Sequence, residues 1–476
     1  MKKIIFFILL FSFSYFCPLS AFAIHDTVAI NTIPTDNQVQ FCFDLDTRKL
    51  YLDKMYVAAI TEEGNTFVVK PTSDSFTLHD LETAPIFTEW HKNSEPICLG
   101  PFEKVSLQNL DLYAGVGLSL DDVIQKQSYL QFFNGFPSLP QPETTWTIMV
   151  YMVGSDLEEK PHRKGGHHWA SKDFLEMLQG SSQSSSNITN LVITTGGSTR
   201  NGWQTVKRTF IQNGQQYVLE DLGAKSMAAP QTLSDFVIWT QANFPAQHYA
   251  LILWNHGDGT NGYGLDTSAT GNGDTITLPE LHQSYRTIRQ TMKKPLDIVV
   301  YDACLMAAIE VAEITATVAK AMAGSVELEP GHGIDYAHLL SNIATKLPTN
   351  GIDFGRIVKA GYVQHSKEQG TFERKQITYS VFDLIQLPTF TATFQNFAIE
   401  FRKLLEKGTF SDYETLRQGI IRAPGYPFKQ SGRLSSLEQN NIRIDLYNIL
   451  QTVGPVFEEF SLHAYDLLKI LDLNSD

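Results

Sequence analysis

An α/β domain on a mainly parallel sheet is the fold predicted for the middle of this 476-residue chain, on three observations. Residues 146–153 (WTIMVYMV), 190–195 (NLVITT), 249–254 (YALILW) and 296–301 (LDIVVY) are continuous apolar runs of strand length. That pattern belongs to strands buried on both faces. These runs alternate with segments of helical period at 169–178, 232–243, 278–292 and 306–319, as βα units do. Two of the runs also end in reactive residues, His256 on a Gly-rich loop (NHGDG) and Cys304 at what reads as a strand-to-helix turn. Groups at the carboxyl ends of neighbouring parallel strands converge on one crevice, where a thiol and an imidazole make a nucleophile and its acid/base.

The other elements are taken in chain order. Residues 1–23 read as a secretory leader: Lys2 and Lys3, an apolar centre over 4–16, and Ala21-Phe22-Ala23 as the cleavage site. No later apolar run is long enough to span a bilayer. Export to the periplasm, cell surface or medium is the expected destination. Residues 24–140 hold short alternating β-branched and aromatic runs (39–45, 49–57, 66–69), with a helical period only over 121–133. They predict a small β-rich, sandwich-like domain. Cys42 and Cys98 lie in its strand-like segments and can pair in an oxidising compartment; Cys17 leaves with the leader, and Cys304 stays single.

Residues 134–145 (NGFPSLPQPETT) are the linker. In the α/β part, 204–211 and 215–219 flank Asn213-Gly214 as a hairpin. The helix over 232–243 has Thr232 or Ser234 as its cap. A short strand at 321–326, helices at 335–344 and 353–366 and a strand at 376–382 complete the domain, taken as 146–390. Residues 391–476 read as a helical C-terminal region broken at 424–433.

Composition narrows the function. With 37 Lys and Arg against 51 Asp and Glu, the net charge is −14. That disfavours nucleic acid and anionic membranes as partners. Gly262–Gly264 and Gly271–Gly273 lack a following Lys-Ser/Thr, so no phosphate loop is implied. His162, His167 and His168 have no zinc-ligand spacing and read as a solvated loop. The oxygens of residues 266–274 (DTSATGNGD) suit calcium without forming an EF-hand; calcium is the one candidate ion, and no other cofactor is indicated.

His256 precedes Cys304 by 304 − 256 = 48 residues, the order and approximate spacing of caspases, although the local caspase sequence is absent. The motifs WTIMVYMVGSDLE (146–158), LWNHGDG (253–259), TLPEL (277–281), DIVVYDACLM (297–306) and SVELEPGHGIDY (325–336) together resemble the clostripain family of cysteine peptidases, within the caspase-like group. The resemblance covers about 146–390. It implies a caspase-like α/β/α sandwich, with the β-rich domain before it and the helical region after it. It also implies Cys304 as nucleophile, His256 as acid/base, and the N–H groups of Gly257 and Cys304 as oxyanion hole. Substrates would be proteins or peptides cut after Arg or Lys. Some family members need calcium, and some cut themselves between the His and Cys motifs. In this chain no Lys or Arg occurs from Gly257 to Tyr285, so that maturation route is not expected; a monomer acting as a single chain is.

A Cys at a helix start is favoured as thiolate by the orphan N–H groups there; the plain alternative is a buried structural thiol. Asp302, two residues before Cys304, points to the same side if the strand continues. There it can form the pocket for a basic side chain, or merely cap the helix. Glu327, Glu329 and Asp335 are alternative sources of that charge. A catalytically inert binding or adhesion protein on the same fold is the competing function, motivated by the β-rich domain and opposed by the intact His256/Cys304 pair.

Overall fold

The computed structural model describes residues 139–159, 168–182, 188–292, 294–371 and 377–422, together with the elements of the N-terminal unit, two short strands near the C-terminus and a few single residues. The expected leader, Cys17, His162 and His167 lie outside the described residues, as does most of the chain after 422. The described residues form two compact units, one within Met1–Gln141 plus Tyr217–Leu222, the other within Pro142–Gln216 plus Gly223–Asp476.

The first unit is β-rich, as predicted. In chain order it has β1 (Val28–Pro34), β2 (Gln38–Leu45), β3 (Lys54–Thr61), β4 (Thr66–Pro71), β5 (Phe76–Asp80), β6 (Thr88–Glu89), β7 (Ile97–Glu103), β8 (Leu110–Gly117), helix α1 (Leu120–Gln125) and β9 (Tyr129–Phe133). Strands β1-β2-β7 make one sheet and β5-β4-β3-β8-β9 a second, with β6 on β3. The helix expected over 121–133 is a correction: α1 is short, and Tyr129–Phe133 pairs with β8 as a strand. In the β2–β7 pair Cys42 stands directly opposite Cys98.

The second unit is the expected α/β domain. Its elements are β10 (Thr144–Val153), α2 (Ser155–Glu159), α3 (Trp169–Ser181), β11 (Thr189–Gly196), β12 (Lys207–Gln212), the first two residues of β13 (Gln215–Asp221), α4 (Pro230–Asn243) and β14 (Ala246–Trp254). Next come β15 (Tyr263–Asp266), β16 (Asp274–Ile276), α5 (Leu278–Thr291), β17 (Ile298–Asp302), α6 (Ile309–Thr315), β18 (Ala321–Gly324), α7 (Tyr336–Thr345), α8 (Gly351–Glu368) and β19 (Ser380–Asp383). Helices α9 (Leu387–Lys407) and α10 (Phe410–Arg422) begin the helical C-terminal region, and β20 (Gly425–Tyr426) pairs with β21 (Arg443–Ile444) beyond them.

The main sheet runs β13-β12-β11-β10-β14-β17-β18-β19. Its five central strands, β11 to β18 in that order, are parallel; β12 and β19 join antiparallel. The chain leaves β10 towards β11 on one side and later returns as β14 on the other. Beyond the carboxyl ends of β10 and β14, such a reversal opens a crevice.

Alternation along the strands sorts the two faces of the sheet. Ile148, Val150, Met152, Ala250, Ile252, Ile298 and Val300 form one core with α3, α7 and α8, through residues such as Met177, Leu339, Phe354 and Tyr362. The opposite face carries Tyr151 and Tyr301. Tyr151 packs its ring against Phe236 of α4, and the Tyr301 hydroxyl bonds Tyr285 of α5 and Thr315 of α6. Burying each large apolar side chain of this kind is worth about 1.5–3 kcal/mol, and the central strands are buried on both faces.

The Asn213-Gly214 hairpin is present, with both residues at positive φ (51° and 75°), as a two-residue turn of right-twisted strands requires. Two sequence readings are corrected. Helix α4 starts at Pro230 after Ala229, and its expected caps turn elsewhere: the Thr232 hydroxyl bonds Ser226 O and the Ser234 hydroxyl bonds Gln231 O. The helix expected from 306 begins only at Ile309. Among the described residues no helix is long and apolar enough to cross a membrane.

Candidate active site

Strands β14 and β17 are paired in parallel from Ala250↔Ile298 to Trp254↔Asp302. His256 and Cys304 each lie two residues beyond that last pair, on loops that leave neighbouring strand ends. The two loops also touch. A Cβ on Gly257 would overlap the Cys304 carbonyl oxygen and lie 2.8 Å from Met306 Cγ; only glycine lets the backbones come this close.

The His256 ring is held from α2, just past the end of β10. Its Nε2 lies 2.9 Å from Asp156 Oδ1, both side chains being partly exposed. Asp156 reaches this place because Asn255, buried next to His256, ties the two strand ends together. The Asn255 amide donates to Val153 O (2.6 Å) and Ser155 Oγ (2.9 Å), and its Oδ1 accepts from Leu265 N (2.7 Å). Ser155 adopts a positive φ of 47°, uncommon for a residue with a side chain. Sequence reasoning did not assign Asp156 a role. The available signal was its position just past the end of a buried strand, inside the motif 146–158.

Cys304 does not start a helix. Strand β17 ends at Asp302 and α6 begins five residues after Cys304, so the helix-dipole argument for a thiolate fails. What meets the sulfur is the N–H of Glu329, 3.2 Å from Sγ, from the loop after β18. The turn is sharp: Leu305, next in sequence, has φ +65°. Residues held in such conformations cost of order 1–3 kcal/mol and cluster at functional sites; here two of them, Ser155 and Leu305, adjoin Asp156 and Cys304.

Asp302 does not cap a helix either. It is buried, with Oδ1 accepting from Ile334 N (3.2 Å) and Oδ2 from the Tyr336 hydroxyl (2.8 Å). Gly333, at φ +54°, lets the loop approach it: a Cβ there would lie 2.7 Å from Asp302 Oδ1. Burial pushes the Asp302 carboxyl up to about 6, against the opposing pull of hydrogen bonds from Tyr336 and Ile334. Burial, reinforced by the Asp302 charge, raises the Glu329 carboxyl well above the usual range. Asp173 of α3 joins them. It is fully buried, receives Trp254 Nε1 on Oδ2 (2.7 Å), and is raised by burial and then by Asp302 and Glu176. Asp173 was legible as an anomaly, since it shares the buried stripe of α3 with Ala170 and Met177.

The other candidates are not brought to this place. Asp335 caps α7, accepting from His338 N (2.8 Å). Glu327 has a buried Oε1 and a carboxyl raised by burial, without a link to Asp302. His168 turns Nδ1 to Glu158 O (2.5 Å). The calcium-friendly Asp266 is committed to the backbone, accepting from Met227 N (2.6 Å) and Ser268 N (2.8 Å). Among the described residues no group of three or more His, Cys, Asp or Glu is arranged to hold a metal ion.

A thiol and a carboxylate-held imidazole on neighbouring loops at the carboxyl edge of a parallel sheet are the kinds of group that cysteine-dependent acyl transfer uses. The model of the clostripain family matches residues 150–454, more than half of the chain and well past residue 390. The chain therefore belongs to the clostripain family and is a cysteine endopeptidase, with proteins or peptides as substrates. No curated protein matches it. Among solved structures it is similar to a secreted cysteine protease from Bacteroides thetaiotaomicron in complex with an irreversible peptide inhibitor. That match has 19% identity, covers 68% of this chain and 82% of the other, and has a TM-score of 0.49. It is also similar to an inactive zymogen protease from Parabacteroides distasonis, at 19% identity over 70% and 83% of the two chains, TM-score 0.49.

Proposed function

We propose that this peptidase is exported and cuts peptide bonds after Arg or Lys, with Cys304 as nucleophile and His256 as acid/base. The observation that carries the roles is the equal two-residue offset of His256 and Cys304 from the Trp254↔Asp302 pair. The Cys304 sulfur attacks the carbonyl carbon. The developing oxyanion is met by the N–H groups of Gly257 and Cys304. His256 gives a proton to the leaving amine, then takes one from the water that releases the acyl group. Asp156 keeps Nε2 engaged, leaving Nδ1 for the reacting atoms. Basic specificity is supported by the buried Asp302, since a pocket built round a carboxylate selects a cation. Export is supported by the sequence of residues 1–23. The inert-binding alternative gains no support from a site that keeps both reactive side chains.

Two measurements test this. Cys304→Ala and His256→Ala should each lose nearly all peptide cleavage with the fold kept, because the pair acts as a unit; near-normal turnover in either sinks the assignment. A fluorogenic panel varying only the residue before the cut should favour Arg, then Lys. A preference for acidic or large apolar residues refutes the basic pocket.

A further inference from the structure

Resting on the reading of His256 as acid/base, we infer that Glu158, paired with Arg200, is a positioning residue: it sets how α2 is turned and thereby holds Asp156 against the His256 ring.

Helix α2 has only five residues, and a helix of little more than one turn is not stable by its own hydrogen bonds. Where its side chains point is decided by what anchors it. Side chains two residues apart on a helix are rotated by about 200°, so Asp156 faces out when Glu158 faces in. Glu158 is fully buried, whereas the Asp156 side chain is 38% exposed.

A buried carboxylate is tolerated when it is both paired and hydrogen-bonded, and Glu158 is both. Arg200 Nη1 meets its Oε1. The Ser171 hydroxyl donates to the same oxygen, and Ser171 N donates to Oε2 (3.0 Å). Arg200 Nη1 also donates to Ser171 Oγ (3.1 Å), closing the ring of contacts. Ser171 lies in the first turn of α3, and His168 just before that helix gives it no side-chain cap. The Glu158 carboxylate meets this need from outside. One side chain thus ties α2 both to α3 and to the loop after β11 that carries Arg200.

The neighbours on α2 strengthen the second tie. Thr199 N donates to Glu159 Oε1 (3.0 Å), and Ser198 Oγ donates to Ser155 O (2.9 Å). Ser155 N bonds Gly197 O (3.0 Å). Those bonds fix where the turn begins; the inward grip of Glu158 fixes how it is rotated. With that grip lost, Asp156 leaves its 2.9 Å contact with Nε2, although the Asp156 carboxylate itself is unchanged. The effect of Glu158 on catalysis therefore passes through Asp156 and should vanish when Asp156 cannot act.

A double-mutant cycle in the full-length enzyme tests this, using the fluorogenic peptide that the wild type cuts fastest. Glu158→Gln should lower kcat roughly 10-fold with KM within about twofold, and should cost less than about twofold more in the Asp156→Asn background. Circular dichroism melting keeps the assay below each variant's unfolding. If Glu158→Gln does not fold, Arg200→Lys, which keeps the charge but loses the planar fork, enters the same cycle and is read by the same two comparisons. Wild-type kcat in the single variant overturns the inference. So does a loss that persists undiminished in the Asp156→Asn background, which would make Glu158 a support of the fold alone. A silent Asp156→Asn overturns it as well, since nothing would then be positioned. Near-normal turnover in His256→Ala instead removes the acid/base reading beneath it.

Discussion

Nε2 of His256 and Oδ1 of Asp156 are 2.9 Å apart although 100 residues separate them in the chain. The contact is made by strand ends, with Asn255 as the tie between β10 and β14. A carboxylate on one ring nitrogen fixes which nitrogen carries the proton and how the ring is turned.

Asp156→Asn should therefore lower kcat more than it raises KM. The expected loss is roughly 10- to 100-fold, less than the 10²–10⁴ that acid–base catalysis itself supplies, because both side chains are partly exposed. A raised KM with kcat unchanged would instead assign Asp156 to substrate binding and not to positioning of the His256 ring.

Gly257→Ala forces a Cβ against the Cys304 carbonyl and Met306. The clash is with backbone, which cannot swing aside as a side-chain tip can. Stability should fall by about 1–3 kcal/mol, and activity by more than stability explains, because the two reactive loops are pushed apart. Thermal denaturation and kcat/KM on the same preparation separate the two effects.

The opposition of Cys42 and Cys98 across β2 and β7 sharpens the disulfide expected from export. Directly opposed antiparallel residues have Cα atoms about 4.5–5.5 Å apart, within the reach of a disulfide. Mass spectrometry of unreduced peptides should recover the two cysteines linked, and reduction should cost the N-terminal unit about 2–4 kcal/mol. Two free thiols in protein from an oxidising compartment would contradict it.

Active enzyme should be one continuous chain across residues 257–285. The stretch lacks Lys and Arg, and its backbone is engaged: Gly264 N bonds His256 O (3.0 Å), and Gly273 N bonds Asp266 O (2.7 Å). N-terminal sequencing of active protein should find no start within it; a start after a non-basic residue there would also revise the specificity.

The central strands were legible because buried parallel strands announce themselves as unbroken apolar runs, and His256 and Cys304 could be placed just past the ends of two such runs. Three things were not legible. Helix α6 starts late because a sharp turn at Leu305, at positive φ, separates it from Cys304, and no Gly or Pro marks that turn. Asp156 and His256 meet through strand order, which no local pattern encodes. Asp173 and Glu329 come together with Asp302 from α3 and from the loop after β18, so their convergence exists only once those elements pack on the sheet. Asp335, by contrast, could have been read as a cap from its place just before an apolar-periodic segment.

The pairing of residues 250–254 with 298–302 has a consequence for what change this enzyme can tolerate. His256 and Cys304 are located by counting along two hydrogen-bonded rails, not by the shape of a loop. Deleting or inserting one residue within either rail would shift one partner by a full residue and turn its side chain to the other face of the sheet. Loops at the opposite, amino-terminal edge of the sheet can lengthen or shorten without moving either group. Length variation within β14 and β17 should thus be lethal to function where the same change at their far ends is silent.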